Sequence, residues 1–270
     1  MILHPLSSTP QVSCDPMPAW NAVAVTQQQS ASAWWLIAQP DHAALAADLA
    51  AHFAEPDFPA VDPDVVQAIA LHDAGWAQYD GGGEAGGASK GAPPQWQRDS
   101  SGRPLSFLQA PVNIFVEAWT DSIHRAQEKA GNIGGLMVSG HFRRLAEYRR
   151  NSVEDTPEDS ALLHRFLANE TQQDEARFRR QSRSRSEVER LVDLLQLCDL
   201  LSLYLCSGSR ASIEFPQKIA SRPMILRRKG ELCRLNPSPF REELSLGVPA
   251  RRDPASRTEP NTRVLPFLIR

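Results

Sequence analysis

Apolar residues recur at helical spacing through most of the chain between residues 41 and 206. The period of three to four residues, with polar positions between, predicts amphipathic helices that pack on a shared core. Proline, aspartate and glycine at the ends of these runs supply start and stop signals. The predicted helices follow Asp41 and Pro63, cover residues 112–130, begin again at Asn132 or Gly134, and cover residues 160–180 and 191–206, the last preceded by a capping box of Ser186 and Glu189.

Shorter segments at both ends of the chain read as β-strands. Residues 21–26 and 33–38 predict an N-terminal hairpin, and proline-separated segments after Gly208 predict a second β region. These later segments are residues 213–215, 223–227, 231–235, 244–248 and 264–269. The expected fold is therefore mainly α, all-α in its body, with an N-terminal β-hairpin region at 1–40, a helical domain at 41–206 and a small β appendage at 207–270.

Residues 81–104 interrupt the helical domain with a stretch rich in glycine, serine and proline. A loop of this length in a compact domain is either disordered or a lid over a site. Both alternatives stay open from the sequence.

The amino-acid composition of the chain limits the kinds of partner that it can bind. The 270-residue chain is 41% hydrophobic and 23% charged, with a formal net charge of -3. It can bury a core, but it lacks the positive field that phosphate backbones require, which argues against nucleic acid as a partner. The most apolar run, residues 191–206, is too short for a membrane span and holds two aspartates. The N-terminus has no signal-peptide pattern, and the four cysteines form no C-x-x-C pair, so we expect a cytoplasmic protein without membrane contact.

Asp199 is the most unusual residue of the last helix, since it lies among leucines in LLQLCDLLSLYL. A buried carboxylate costs several kcal/mol unless a metal ion, a basic side chain or several N–H donors compensate it. The alternative is an aspartate that bonds a helix end or faces solvent.

The dipeptide His72-Asp73 ends another apolar helix, VVQAIALHDAGW. An imidazole and a carboxylate together suit Fe, Mn or Zn better than Ca. His42 and His141 also lie in predominantly apolar helical segments. Each of these histidines, taken alone, is more often a cap, a surface residue or a core residue than a ligand.

As a set, these residues resemble the HD-domain superfamily of metal-dependent phosphohydrolases, whose pattern is H…HD…D on a helical bundle. The resemblance implies that His42, His72, Asp73 and Asp199 bind a divalent metal, and that His141 serves a second ion in two-metal members. The sequence around these residues also resembles an uncharacterised family of bacterial HD-like proteins, over residues of about 33 to 206. The segments that carry this resemblance are QPDHAAL, LHDAGW, SGHF and LLQLCDLLSLYLC. The expected cofactor is one or two ions of Fe, Mn or Zn.

The resemblance implies hydrolysis of a phosphate ester or a nucleotide-like small molecule. We expect Asp73 or Asp80 to orient or deprotonate a water molecule. Arg143 and Arg144 are candidates for holding phosphate, and Trp76 or Trp96 for stacking on the substrate. Two alternatives remain: an HD-type di-iron oxygenase, and a non-catalytic binding module that the metal stabilises.

Overall fold

The computed structural model describes residues 1–7, 15–54, 61–80, 97–150, 155–219 and 221–270. Seven helices are found in these ranges, together with short 3-10 turns at Ala74–Trp76 and Phe107–Gln109. The helices are α1 (Ala19–Gln28), α2 (Gln39–Ala51), α3 (Pro63–Leu71), α4 (Ala77–Asp80), α5 (Val112–Arg149), α6 (Pro157–Phe178) and α7 (Arg185–Ser207).

Eight strands form one curled, mixed sheet. They are β1 (Ile2–Pro5), β2 (Met17–Pro18), β3 (Trp34–Ile37), β4 (Ile213–Ile219), β5 (Arg222–Lys229), β6 (Leu232–Asn236), β7 (Leu244–Asp253) and β8 (Thr262–Ile269). Their order in the sheet is β1-β3-β7-β8-β6-β5-β4-β2. The pairs β2–β4 and β6–β8 are parallel, and the other neighbours are antiparallel.

The predicted fold class, mainly α, is wrong, and so is the description of the protein as all-α. Of the residues that the structure describes, 54% are helical and 22% are in strands, and the sheet curls into a half-barrel. The five late β segments do lie within strands or overlap them. The sequence could not indicate that they join strands from the other end of the chain, because the pairing of β3 with β7 links residues more than two hundred positions apart.

Of the two strands predicted for the N-terminal hairpin, only one is found in the structure. Residues 33–38 contain β3, but residues 21–26 lie within α1. The partner of β3 is instead β1, in antiparallel register from Ile2 with Ile37 to Pro5 with Trp34. Buried alanine and valine on one face of α1 pack it against α7 and the sheet. This packing overrides the β propensity of the NAVAVT segment.

Helix boundaries follow local chemistry. Asp62 accepts a hydrogen bond from the Val65 backbone N–H and caps α3, while Pro63 fills its first turn. A capping box of Ser184 and Glu187 begins α7, two residues before the pair predicted from the sequence. The long helix α5 has non-helical backbone angles at Ala130 and Gly131, so its two predicted halves are joined at a kink.

In the helical body α3 packs on α2 and α5, and α7 contacts all three of these helices as well as α1 and β1. A large core joins buried residues of helices and strands, from Leu49 in α2 to Val248 in β7, and a smaller cluster of Met1, Leu3, Trp34 and Leu36 lies at β1 and β3. The sheet therefore covers one side of the helical body. In the described ranges, none of the helices has the length and apolar character that crossing a membrane requires. Of the predicted loop at 81–104, residues 81–96 lie outside the described residues.

Candidate metal centre

The His72-Asp73 pair lies where α3 gives way to the 3-10 turn Ala74–Trp76. His72 keeps helical backbone angles, and Asp73 leaves them with φ -114° and ψ 19°. Gly75 makes this change of direction possible beside α5, since a Cβ there would lie 2.1 Å from the carbonyl oxygen of Ala118. The Gly75 N–H donates to Ser122 Oγ at 2.9 Å and ties the turn to α5. The local sequence thus directs both side chains toward the interior of the helical body.

Three elements bring four of the predicted ligands together. His42 Nε2 lies 2.8 Å from Asp73 Oδ2, and His72 Nε2 lies 3.3 Å from Asp199 Oδ1. The cross distances are 3.9 Å between His42 Nε2 and Asp199 Oδ1 and 3.7 Å between His72 Nε2 and Asp73 Oδ2. His42 comes from α2, His72 and Asp73 from the end of α3, and Asp199 from α7. The structure therefore brings together residues that lie far apart in the sequence, since His42 and Asp199 are separated by 157 positions.

These separations fit ligands of one ion. Ligand atoms about 2.1 Å from a shared metal lie roughly 3.0–3.4 Å apart when the bond angles are right-angled or tetrahedral. The four measured distances, 2.8 to 3.9 Å, bracket that range.

The second nitrogen of each imidazole fixes the lone pair that faces the carboxylates. His72 Nδ1 lies 2.7 Å from the carbonyl oxygen of Ile69, which can only accept, so Nδ1 carries the proton. His42 Nδ1 lies 2.9 Å from Ser202 Oγ, and that hydroxyl already donates to the Asp199 carbonyl oxygen. Ser202 therefore accepts from His42 Nδ1. In their neutral forms both rings direct a lone pair from Nε2 at carboxylate oxygens, an arrangement that either a proton or a metal cation can bridge.

The charges of the site also favour a cation between the histidines and the carboxylates. Burial by itself would lower the pKa of His72, but the Asp73 and Asp199 carboxylates outweigh it and raise the pKa to about 9. Burial by itself would raise the pKa of Asp199, but the hydrogen bond and the charge of His72 lower it to about 2. The two carboxylates thus hold negative charge in the interior and favour a positive charge between them.

His141 occupies the other side of Asp199. Its Nε2 lies 3.8 Å from Asp199 Oδ2, whereas the first set of ligands meets Asp199 through Oδ1. Burial lowers the pKa of His141 to about 4, so the ring is neutral and able to ligate. Its Nδ1 is buried and has no hydrogen-bond partner in the described ranges. A second group of candidate ligands, His72, His141 and Asp199, therefore adjoins the first, His42, His72 and Asp73. The two groups share His72, whose single available Nε2 can serve one ion at a time.

Asp80 and Arg143 lie outside this cluster. Asp80 is buried and accepts hydrogen bonds from the Met1 amino group at 2.8 Å and from the Gln39 backbone N–H at 2.7 Å. Arg143 donates to Asp174 at 3.0 Å in a separate buried network between α5 and α6. The structure does not bring either residue to the candidate ligands.

Trp76 and Arg144 both line a cleft that reaches the cluster. The cleft has a volume of about 1590 Å³ and is also lined by Asp73, His141 and Asp199. Trp76 is buried and contacts Phe115 edge to face, with ring centroids 5.3 Å apart. Arg144 donates to Asp193 at 2.7 Å and to Gln196 at 2.6 Å. A small molecule in the cleft can thus reach three of the candidate ligands.

Ser202 is the residue of the site that sequence reasoning missed. It lies three positions after Asp199 in α7, on the same helical face. That spacing was visible in the sequence, as a hydroxyl in an otherwise apolar helix one turn after a buried acid. Its role became clear only when α2 brought the His42 ring against it.

Together, the fold and the site define a class: a helical body closed by a curled sheet, with a buried histidine–carboxylate cluster at the end of a cleft. A family model described as "Protein of unknown function (DUF3891)" matches residues 25–252, and the chain belongs to this family. No curated protein and no solved structure is significantly similar to the chain.

Proposed function

We propose that the protein is a metal-dependent hydrolase that acts on a small molecule bound in the cleft. The observation that carries the proposal is the cluster of two imidazole Nε2 atoms with carboxylate oxygens of Asp73 and Asp199, at nitrogen–oxygen distances of 2.8 to 3.9 Å. A divalent ion held there supplies an activated water at neutral pH and polarises the bond to be cleaved. The reaction type rests on the resemblance to the HD-domain superfamily.

The residues of the chain have separate tasks in this proposal. His42, His72, Asp73 and Asp199 hold the first ion, which we propose to be Fe, Mn or Zn because of the mixed nitrogen and oxygen donors. Ser202 and the Ile69 carbonyl fix the proton of each ligating ring on Nδ1. Asp73, His141 and Asp199 line the cleft, which gives the substrate access to the ligands. The buried free thiols of Cys198, Cys206 and Cys233 agree with a reducing compartment, and we propose the cytoplasm.

Elemental analysis of the purified protein tests the metal site. We expect about one ion or more per chain in the wild type and a large loss of metal in Asp199→Asn, which keeps the shape of the side chain and removes its charge. The matched control is His124→Ala, an exposed histidine of α5. Wild-type protein that stays metal-free after incubation with Fe, Mn and Zn salts would contradict the proposal, as would equal metal content in Asp199→Asn. A screen of ester substrates with the metal found then tests hydrolysis.

One observation favours a second candidate, a di-iron oxygenase. Asp199 faces the first set of ligands through Oδ1 and His141 through Oδ2, so its carboxylate can bridge two ions. Two iron ions per chain, with an absorption spectrum that changes on exposure to oxygen, would support this function over hydrolysis. A content of one ion, or two zinc ions, would exclude it.

A further inference from the structure

The cleft beside the candidate metal centre is larger than a phosphate group or a simple sugar requires. Its volume of about 1590 Å³ exceeds the range of roughly 300–1,000 Å³ that is usual for small-molecule sites. Its walls come from α1, α5, α7 and β4, so it lies between the helical body and the sheet. The site therefore admits a molecule larger than a phosphate group or a simple sugar, with part of it at the candidate ligands.

One wall of the cleft is a continuous row of aromatic rings that begins at a candidate ligand. The ring centroids of His141 and Phe142 are 5.0 Å apart, and Phe142 stacks on Trp119 at 5.2 Å with 19° between the planes. Trp119 lies 5.3 Å from Phe115, which in turn lies 5.3 Å from Trp76. All these residues line the cleft. These five side chains are at most 7% exposed, so the rings that a ligand can contact freely are those of Trp20, which is half-buried, and Tyr148, which is 75% exposed. Accessible rings on an apolar wall favour an aromatic or apolar ligand, since ring faces and edges bind other rings.

The arginines of the cleft are already neutralised by neighbouring acids. Arg144 donates to Asp193 at 2.7 Å and to Glu189 at 2.5 Å. Arg149 pairs with Asp155 at 3.4 Å and lies over the Phe115 ring, 4.8 Å from its centroid. Neither guanidinium is arranged as an open fork for a polyphosphate, which several uncompensated cations usually bind.

The remaining charges on the cleft wall give no excess of positive charge. Lys218 on β4 is exposed, and Glu214 on the same strand also lines the cleft. Asp73 and Asp199 add two carboxylates, which a divalent ion would balance. Among the described lining residues, the charge pattern therefore suits a neutral or singly charged ligand.

From these observations we infer that the substrate is a large aromatic or apolar ester that carries at most one negative charge, and not a nucleoside polyphosphate. This inference rests on the proposed hydrolase function and names its substrate class. Hydrolysis of such an ester adds one water molecule. The water oxygen bonds to the phosphorus or acyl carbon, the bond to the alcohol oxygen breaks, and one water proton passes to the leaving alcohol.

A matched pair of phosphorus compounds tests the inference. Bis(4-nitrophenyl) phosphate has two aromatic rings and one negative charge, and ATP is a polyanion. Protein loaded with the metal found by elemental analysis should hydrolyse the first with a kcat/KM at least about tenfold higher. A higher kcat/KM for ATP would overturn the inference and leave metal-dependent hydrolysis standing.

Binding is measured separately by isothermal titration calorimetry on Asp199→Asn. This experiment tests the inferred substrate class independently of the proposed metal-dependent hydrolysis. Binding of bis(4-nitrophenyl) phosphate that is tighter than binding of ATP supports the inference even if no turnover is found, in which case the hydrolase proposal fails alone. Tighter binding of ATP, or no binding of the aromatic diester, overturns the inference.

Two aromatic residues of the cleft wall that are not fully buried allow a test by substitution. Trp20 is half-buried and Tyr148 is 75% exposed, so replacement by alanine should leave the fold intact. Each replacement should weaken binding of the aromatic diester by roughly three- to tenfold, the usual effect of a lost ring contact. Phe178→Ala is the control, because this half-buried ring packs under Arg185 and is not part of the cleft wall. Equal effects of all three replacements would contradict the aromatic-wall argument.

Discussion

At the scale of single residues, the candidate metal centre depends on which nitrogen of each histidine carries the proton. His72 is fixed by a backbone carbonyl, which holds its ring through a group that no substitution removes. His42 is fixed by Ser202, a side chain that can be replaced. A metal ligand whose outer nitrogen loses its partner can rotate or change tautomer, which weakens metal binding.

Replacement of Ser202 by alanine should therefore lower metal affinity without removing a ligand. We expect a loss of roughly 10–100-fold, the usual effect of removing a hydrogen-bond partner of a ligating histidine. Titration against a chromogenic chelator measures the change. Ser207→Ala is the matched control, because Ser207 is buried in the same helix and donates to the Tyr204 carbonyl in the same way that Ser202 donates to that of Asp199. Equal affinities of the two variants would refute a specific role of Ser202.

At the scale of secondary-structure elements, the contact between the end of α3 and α5 sets the position of the His72-Asp73 pair. The Ala74–Trp76 turn approaches the α5 backbone so closely that Gly75 has no room for a side chain. The obstacle is a backbone carbonyl, which cannot turn aside as a side chain can. The sequence feature LHDAGW thus couples the ligand pair to the packing of the helices.

Gly75→Ala should consequently destabilise the protein and disturb the site together. We expect a loss of about 3 kcal/mol of unfolding free energy from overpacking. This corresponds to a melting temperature lowered by roughly 6–12 °C for a domain of this size. Thermal unfolding followed by circular dichroism measures the stability, and elemental analysis measures the metal.

Gly140→Ala on the middle of α5 is the control for this substitution. A Cβ at Gly140 would lie 2.8 Å from a methyl group of Val192, which is a side chain and can rotate. We expect a smaller loss of about 1 kcal/mol and a retained metal content. If the Gly140 variant is the less stable of the two, the argument from the backbone contact fails.

At the scale of the whole molecule, an ion held by His42, His72, Asp73 and Asp199 would link α2, the end of α3 and α7, and it would lie beside His141 of α5. Those helices also share a core with the sheet, which joins strands from both ends of the chain. An ion that binds only the folded protein shifts the folding equilibrium toward it. Metal binding should therefore be visible in global unfolding.

Addition of the bound metal to chelator-treated protein should raise its melting temperature. At a free metal concentration 100 times the Kd, the stabilisation is about 2.7 kcal/mol. This should raise the melting temperature by roughly 5–11 °C. Differential scanning calorimetry measures the shift, and Asp199→Asn should show little of it. A wild type that melts at the same temperature with and without metal would count against ion binding by the folded state.

The sequence by itself determined the helices of the body and the identity of the candidate ligands. The helices could be predicted because the spacing of apolar residues is a local property of the sequence. The break in α5 could be predicted from glycine near residue 131. Asp199 could be identified as a candidate ligand because a carboxylate among leucines requires a partner in any fold. The structure brings this residue together with His42, His72, Asp73 and His141.

Only the tertiary structure decided the sheet, the protonated nitrogens and the cleft. Strand pairing between β3 and β7 joins distant segments, and the helical state of residues 21–26 depends on packing against α7 and the sheet, so local propensity misjudged both. Asp80 and Arg143 have suitable chemistry in the sequence, yet Met1 and Asp174 engage them elsewhere in the fold. Ser202 acts on His42 across 160 residues, a relation that no local pattern encodes. Residue types and their periods are properties of the chain, whereas distances between remote side chains exist only after the chain has folded.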